Sequence, residues 1–175
     1  MNRFVAFLRA INVGGTMVIK MDELKRLFES VPLEQVATYI QSGNVIFESR
    51  EKDARLLETR IERHLDEALG TRVEVFVRSM PEIVGLAAQK LFKPGVGDTL
   101  HIVFLHEVPD KQAARAVLAQ NSKADEFAVK GREVYNLRHD RDQSVFTNNF
   151  IEKILKAAAT TRNWNTICKI AEKYR

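Results

Sequence analysis

Apolar residues in the first half of the chain follow strand spacing and helix spacing in turn. The predicted strands are residues 4–11, 36–41, 44–48 and 72–78, and the predicted helices are residues 21–31 and 52–69. The short segment Ser42-Gly43 predicts the turn of a hairpin, and Gly70 predicts the end of the second helix. The resulting order, βαββαβ, predicts a ferredoxin-like half over residues 1–78 whose first strand lies beside its third.

The second half, residues 79–175, nearly repeats this order. Its predicted strands are residues 100–105, 127–130 and 132–137, and its predicted helices are residues 81–91, 109–118, 150–159 and 164–174. This pattern is βαββα plus a terminal helix, with no obvious fourth strand. The sequence therefore predicts an α+β protein of two ferredoxin-like halves with antiparallel sheets, followed by C-terminal helices, packed as one compact unit.

Composition narrows the class of protein. The 175 residues are 45% hydrophobic and 29% charged, which is typical of a globular chain. No apolar run approaches the roughly 18–20 residues of a membrane span, and the apolar run near the N-terminus is too short for a signal peptide. The single cysteine, Cys168, allows no internal disulfide. We therefore expect a cytoplasmic protein with no membrane partner.

The excess of positive over negative charge is confined to the C-terminal segment. Lys and Arg balance Asp and Glu at 12 against 12 in residues 1–78 and at 9 against 9 in residues 79–149, whereas residues 150–175 carry 6 against 2. An excess of four charges falls short of a nucleic-acid-binding stripe and favours a helix pair with solvated lysines. A single-stranded nucleic-acid partner is therefore not favoured.

One edge of the first predicted sheet gathers polar residues and glycines. Arg9, Asn12, Gly14 and Gly15 lie at the end of the first strand and in the loop after it, and Gln41, Ser42, Gly43 and Asn44 lie at the turn between the second and third strands. The first and second strands run in the same direction, so topology brings both segments to one edge. A long glycine-bearing loop there is suited to holding a ligand, with Arg9 pairing an anion. The alternative is that the glycines only turn the chain while the asparagines cap backbone groups.

A second polar segment precedes the last predicted helix. It consists of Thr161, Arg162, Asn163 and Trp164, and a helix start with an arginine beside it suits phosphate or carboxylate. The alternative is a capped helix with Trp164 anchored in the core. We predict that this segment packs across the first edge, so that an anion or an acidic side chain lies between Arg9 and Arg162.

Other reactive residues give weaker patterns. The four histidines share no metal-ligand spacing, and residues 138–142, with His139 among them, are typical of a solvated loop. Cys168 shares a helix face with Trp164 and Ala171, which indicates a small core residue. The sequence predicts no metal and no cofactor, and it assigns no catalytic residue.

Three segments resemble the signatures of domain-of-unknown-function family 1697. They are residues 7–15 (FLRAINVGG), residues 38–47 (TYIQSGNVIF) and residues 160–166 (TTRNWNT), in the expected order and spacing over essentially the whole chain. The family usually has glycine where this chain has Ala10, which argues against a strict need for glycine geometry at that position. The resemblance implies a small bacterial-type cytoplasmic protein without an established activity, and it favours one site built from both polar segments.

Three functions are consistent with these patterns. The first is a protein that binds a small anionic molecule, such as a nucleotide or a phosphorylated metabolite, at the polar edge. The second is an enzyme acting on such a ligand, with Asp22 and Glu23 as the nearest carboxylates. The third is a single-stranded nucleic-acid-binding module, although the third strand offers only Phe47 for stacking. The sequence leaves open whether the protein is an enzyme, and also its oligomeric state.

Overall fold

The computed structural model describes residues 1–14 and 17–175. Within these residues the strands are β1 (Asn2–Leu8), β2 (Glu34–Tyr39), β3 (Asn44–Ser49), β4 (Val75–Ser79), β5 (Thr99–Leu105), β6 (Asp125–Lys130), β7 (Glu133–Arg138) and β8 (Ala159–Asn163). The helices are α1 (Met21–Glu29), α2 (Ala54–Leu69), α3 (Met80–Ala87), α4 (Lys111–Leu118), α5 (Asn148–Leu155) and α6 (Trp164–Tyr174). No helix in the described part is long and apolar enough to cross a membrane.

The first sheet has the strand order β2-β3-β1-β4 and is antiparallel throughout. Phe4 of β1 lies opposite Phe47 of β3, which confirms the predicted pairing of the first and third strands. Helices α1 and α2 cover one face, and apolar residues of both helices share a core with alternate residues of β1. Asp53 caps the start of α2 by accepting hydrogen bonds from two backbone N–H groups, and Gly70 ends the helix with a left-handed φ of 67°.

The central strands of the first sheet are buried on both faces. Residues 4–8 of β1 are at most 2% exposed, and residues 45–47 of β3 at most 1%. Phe47, the one aromatic of β3, packs in the core against Phe4 and Phe28. An RNA-recognition sheet needs exposed aromatics on its central strands, so this arrangement does not favour that mode of binding.

The second sheet has the order β6-β7-β5-β8 and repeats the arrangement of the first. Its fourth strand, β8, contradicts the prediction of only three strands in this half. The segment Ala159–Asn163 contains two threonines, an arginine and an asparagine, and therefore lacks the apolar alternation that reveals a strand. It forms a strand because β5 offers a free edge: Val103 lies opposite Thr161, and Phe104 opposite Thr160.

The protein is therefore an α+β chain with two ferredoxin-like antiparallel sheets and C-terminal helices, as the sequence predicted. The chain divides into two compact units, the first of residues 1–86 with 170–175 and the second of residues 87–169. The helix-side core of the second unit contains Val103, Val117, Phe127 and Ile151 among its buried residues.

Candidate functional site

The polar edge of the first sheet forms where three strand ends meet. Phe7 and Tyr39 both lie opposite Asn44 in the sheet register, and Leu8 N–H donates to the Gly43 carbonyl over 2.9 Å. The loop after β1 and the turn before β3 are consequently neighbours, as predicted. We call these two segments, residues 9–14 and 40–44, the signature edge. Gly15, which was predicted to belong to it, lies outside the described residues.

Asn12 braces the loop and joins it to the turn. Its side-chain amide donates to the carbonyls of Ile19 and Gln41 at 3.0 and 3.1 Å, and its Oδ1 accepts from Ile19 N–H at 2.9 Å. Its backbone N–H donates to the Met17 carbonyl at 2.7 Å. The side chain of Asn12 is thus used for holding the backbone, in agreement with the capping alternative.

Asn44 has a similar role in the turn. It is fully buried, and its Nδ2 donates to the Tyr39 carbonyl and to Ser42 Oγ, both at 2.9 Å. Gly43 has a φ of 71°, and a Cβ there would lie 3.1 Å from Leu8 Cβ. Glycine is required at this position because the turn approaches β1 so closely.

The backbone of the signature edge is unusual. Ala10, Asn12 and Gly14 have φ values of 56°, 55° and 59°, while the residues between them do not have positive φ. Ala10 therefore does adopt the geometry that favours glycine, contrary to the inference drawn from its departure from the family pattern. In the turn, Ile40 has a φ of 50°, which is rare for a β-branched residue.

Solvent reaches only part of the signature edge. Arg9 and Ser42 are half-buried and Gln41 is exposed. The loop and turn also expose the apolar side chains of Val13 (61% exposed) and Ile40 (51%). Arg9 is the only residue of residues 9–14 and 40–44 with a formal charge, so the edge carries positive charge.

A cavity lies at the opposite end of the strands of the same sheet. Its volume is about 630 Å³, and Arg3, Phe4, Met80 and Tyr174 are among the residues that line it. Arg3 is already bound there, to Glu48 over 2.8 Å and to the Tyr174 carbonyl over 2.6 Å. The lining is mainly apolar, so this cavity has little of the polar character that the sequence predicted for the site.

The second polar segment differs from its prediction. Thr161, Arg162 and Asn163 lie in β8 and not in a loop before a helix, because this segment pairs with β5. Asn163 does cap α6, with its Oδ1 accepting from Asn165 N–H over 2.9 Å, and Trp164 begins that helix. Thr161 Oγ1 donates to Asn148 Oδ1 over 2.9 Å.

Arg162 is a buried cation. Its Nη1 donates to Thr160 Oγ1 and to the Thr161 carbonyl, each at 2.9 Å, and only 8% of the residue is exposed. Burial disfavours the charged form and lowers the pKa of Arg162 to about 10, so the guanidinium is still charged at neutral pH. The sequence predicted that this segment and the signature edge share one pocket. Residues 161–164 belong to the second compact unit and the signature edge to the first, so a shared pocket stays a prediction.

A buried polar network in the second unit was missed by sequence reasoning. Asp125 and Asn136 are fully buried, and Asp125 accepts hydrogen bonds from Asn136 Nδ2 (2.9 Å), Ser144 Oγ (2.7 Å) and Val145 N–H (3.0 Å). The residues come from β6, β7 and the loop before α5, so no local spacing reveals them. In the sequence, Asp125 is simply an aspartate two residues before the predicted strand 127–130.

Comparison with known proteins agrees with this fold. A family model described as "Protein of unknown function (DUF1697)" matches residues 1–135. The solved structure of a conserved bacterial protein from Streptococcus pneumoniae superposes with a TM-score of 0.76 at 21% identity, covering 98% of this chain and 97% of that one. No curated protein matches the chain. Because the family model spans well over half of the sequence, the chain belongs to the DUF1697 family of proteins of unknown function.

Proposed function

We propose that the protein binds a small anionic molecule, such as a nucleotide or another phosphorylated or carboxylated metabolite, at the signature edge. The observation that carries the proposal is the alternation of φ along residues 10–14, where Ala10, Asn12 and Gly14 are left-handed and their neighbours are not. Backbone in which left-handed residues alternate with others can turn N–H groups toward one side and form an anion-binding concavity. The N–H of Asn12 is not among the groups offered to the ligand, because it donates to the Met17 carbonyl.

The cost of this backbone supports a functional reading. A left-handed conformation costs a residue with a Cβ roughly 1–2 kcal/mol, and such strain persists only where the surrounding structure imposes it. Here the hydrogen bonds of Asn12 to Ile19 and Gln41 impose it. Three of the non-glycine residues with positive φ, Ala10, Asn12 and Ile40, lie in the signature edge.

Arg9 supplies the charge for the proposed ligand. Its own backbone N–H donates to the Glu74 carbonyl over 2.9 Å, which fixes the residue immediately before the alternating segment. In the proposed complex, the guanidinium of Arg9 adds a charge-assisted contact to those of the loop backbone.

A thermal-shift screen of phosphorylated and carboxylated metabolites tests the proposal. A ligand at 100 times its dissociation constant should stabilise the folded protein by about 2.7 kcal/mol. Arg9→Ala should abolish the shift, whereas Arg50→Ala, which removes an exposed arginine just beyond the far end of β3, should preserve it. A shift of equal size in both variants, or no shift with any anion, would contradict the proposal.

Arg162→Lys in the same assay tests whether the second polar segment contributes.

A further inference from the structure

The buried network of the second unit ends at a half-buried histidine. His101 of β5 lies opposite Asn136 of β7, and its Nδ1 is 3.3 Å from Asn136 Oδ1. Asn136 is held in turn by Asp125, which accepts from its Nδ2 over 2.9 Å. The chain Asp125–Asn136–His101 thus runs from a fully buried carboxylate to the imidazole.

This chain determines which ring nitrogen of His101 carries the proton. A carboxylate only accepts hydrogen bonds, so the amide group facing Asp125 is the NH₂ of Asn136. The oxygen of Asn136 then faces His101 and requires a donor, which makes Nδ1 the protonated nitrogen. Nε2 is consequently an acceptor, and the described residues provide no hydrogen-bond donor to it.

Packing keeps the ring neutral and in place. Burial is the main cause that lowers the pKa of His101 below its ordinary value, and the positive charge of Arg138 acts in the same direction. The centroid of the His101 ring lies 5.2 Å from that of the Phe146 ring. Phe146 is held in turn by Arg138, whose Nη2 donates to the Phe146 carbonyl over 2.9 Å. His101 therefore offers a fixed, uncharged acceptor at neutral pH.

Asn163 supplies a donor beside this acceptor. It lies opposite His101 on the other side of β5, and directly opposed residues of antiparallel strands have Cβ atoms roughly 4.5–5.5 Å apart. Its Oδ1 is used for capping α6, which leaves Nδ2 as a donor without a partner in the described part of the chain. Asn163 is exposed, so this group is accessible to a ligand.

We propose that His101 and Asn163 form a second binding site, which recognises an N–H adjacent to a C=O. His101 Nε2 accepts from the ligand N–H, and Asn163 Nδ2 donates to the ligand carbonyl. This edge is shared by the lactam and imide groups of nucleobases such as uracil. The site lies wholly in the second unit and is independent of the anion site proposed above.

The test uses uridine and 3-methyluridine, which differ only in the N–H that the site would read. In ¹⁵N-labelled full-length protein, two-bond ¹H–¹⁵N spectra should show His101 with a protonated Nδ1, and uridine should shift its Nε2 resonance. The methylated nucleoside should bind at least tenfold more weakly, which corresponds to the loss of one hydrogen bond. His101→Gln identifies the resonance.

Asn163→Asp keeps the oxygen that caps α6 and removes the Nδ2 donor, and Asn165→Ala is its exposed control. Asn163→Asp should weaken uridine binding about tenfold, whereas Asn165→Ala should leave it unchanged, because the side chain of Asn165 makes no contact in the proposed site. A protonated Nε2, equal shifts with both nucleosides, or no shift at millimolar uridine would overturn the proposal. Because Asn163 is exposed, a failure of the His101 variant to fold does not prevent the test.

Discussion

At the scale of single residues, the asparagines of the signature edge hold backbone groups. Asn12 joins the loop to the turn, and Asn44 closes the turn from a fully buried position. We therefore expect these two amides to shape the loop and to affect the affinity for a ligand only indirectly.

Ala10→Gly should stabilise the protein by about 0.5–1 kcal/mol. The left-handed φ of 56° costs alanine roughly 1–2 kcal/mol, and glycine avoids this cost while losing more entropy on folding. The measurement is the free energy of unfolding in urea. Ala68→Gly, an exposed position within α2, serves as the control and should be destabilised by about 1 kcal/mol. A loss of stability in Ala10→Gly would show that the loop is not strained at this residue.

At the scale of elements, the loop before β5 is anchored by one histidine. His139 follows β7, and its Nδ1 lies 3.0 Å from Asp98 Oδ1 while its Nε2 lies 2.7 Å from Glu126 Oε2. Asp98 also accepts from Gly95 N–H over 2.7 Å. The sequence indicated a solvated loop for residues 138–142. The tertiary structure instead gives His139 two carboxylate partners, Asp98 in the loop before β5 and Glu126 in β6.

The stabilising effect of His139 should depend on pH. Its hydrogen bonds to Glu126 and Asp98 raise the pKa of His139 above the ordinary value of 6.5, so its stabilisation is complete below that pH and disappears as the pH rises through the folded-state pKa. The pKa of Asp98 is lowered from 3.8, chiefly by the hydrogen bond from Gly95 N–H and then by that from His139. The contribution of Asp98 to stability is therefore lost only as the pH falls through this lowered pKa. His139→Gln should therefore reduce the free energy of unfolding more at pH 5–6 than at pH 9. Equal losses at both pH values would show that the ion pairs contribute nothing.

At the scale of the whole molecule, each compact unit has buried residues of its own. Leu65 of α2 belongs to the core of the first unit, and Phe104 of β5, a residue of the second unit, is fully buried in the folded chain. Leu65→Ala and Phe104→Ala should each cost roughly 2–5 kcal/mol, because each leaves a cavity in a packed region. Leu56→Ala, on the same helix as Leu65 but 54% exposed, should change the denaturation midpoint little. Midpoints of the two core variants equal to that of the wild type would show that these positions are not part of a packed core.

The α+β class, the order of the first six elements and the position of the signature edge could be predicted from the sequence. These follow from apolar periodicity and from the direction of strands in a βαββαβ unit, which are local signals combined with one topological rule. Strand β8, the conformation of Ala10 and the network of Asp125, Asn136 and His101 are apparent only in the folded structure. A polar strand forms when a sheet edge is available, an alanine adopts a left-handed φ in a loop that is held to a neighbouring turn, and buried polar residues pair across strands. None of these outcomes has a local pattern, because each depends on partners that only folding brings together.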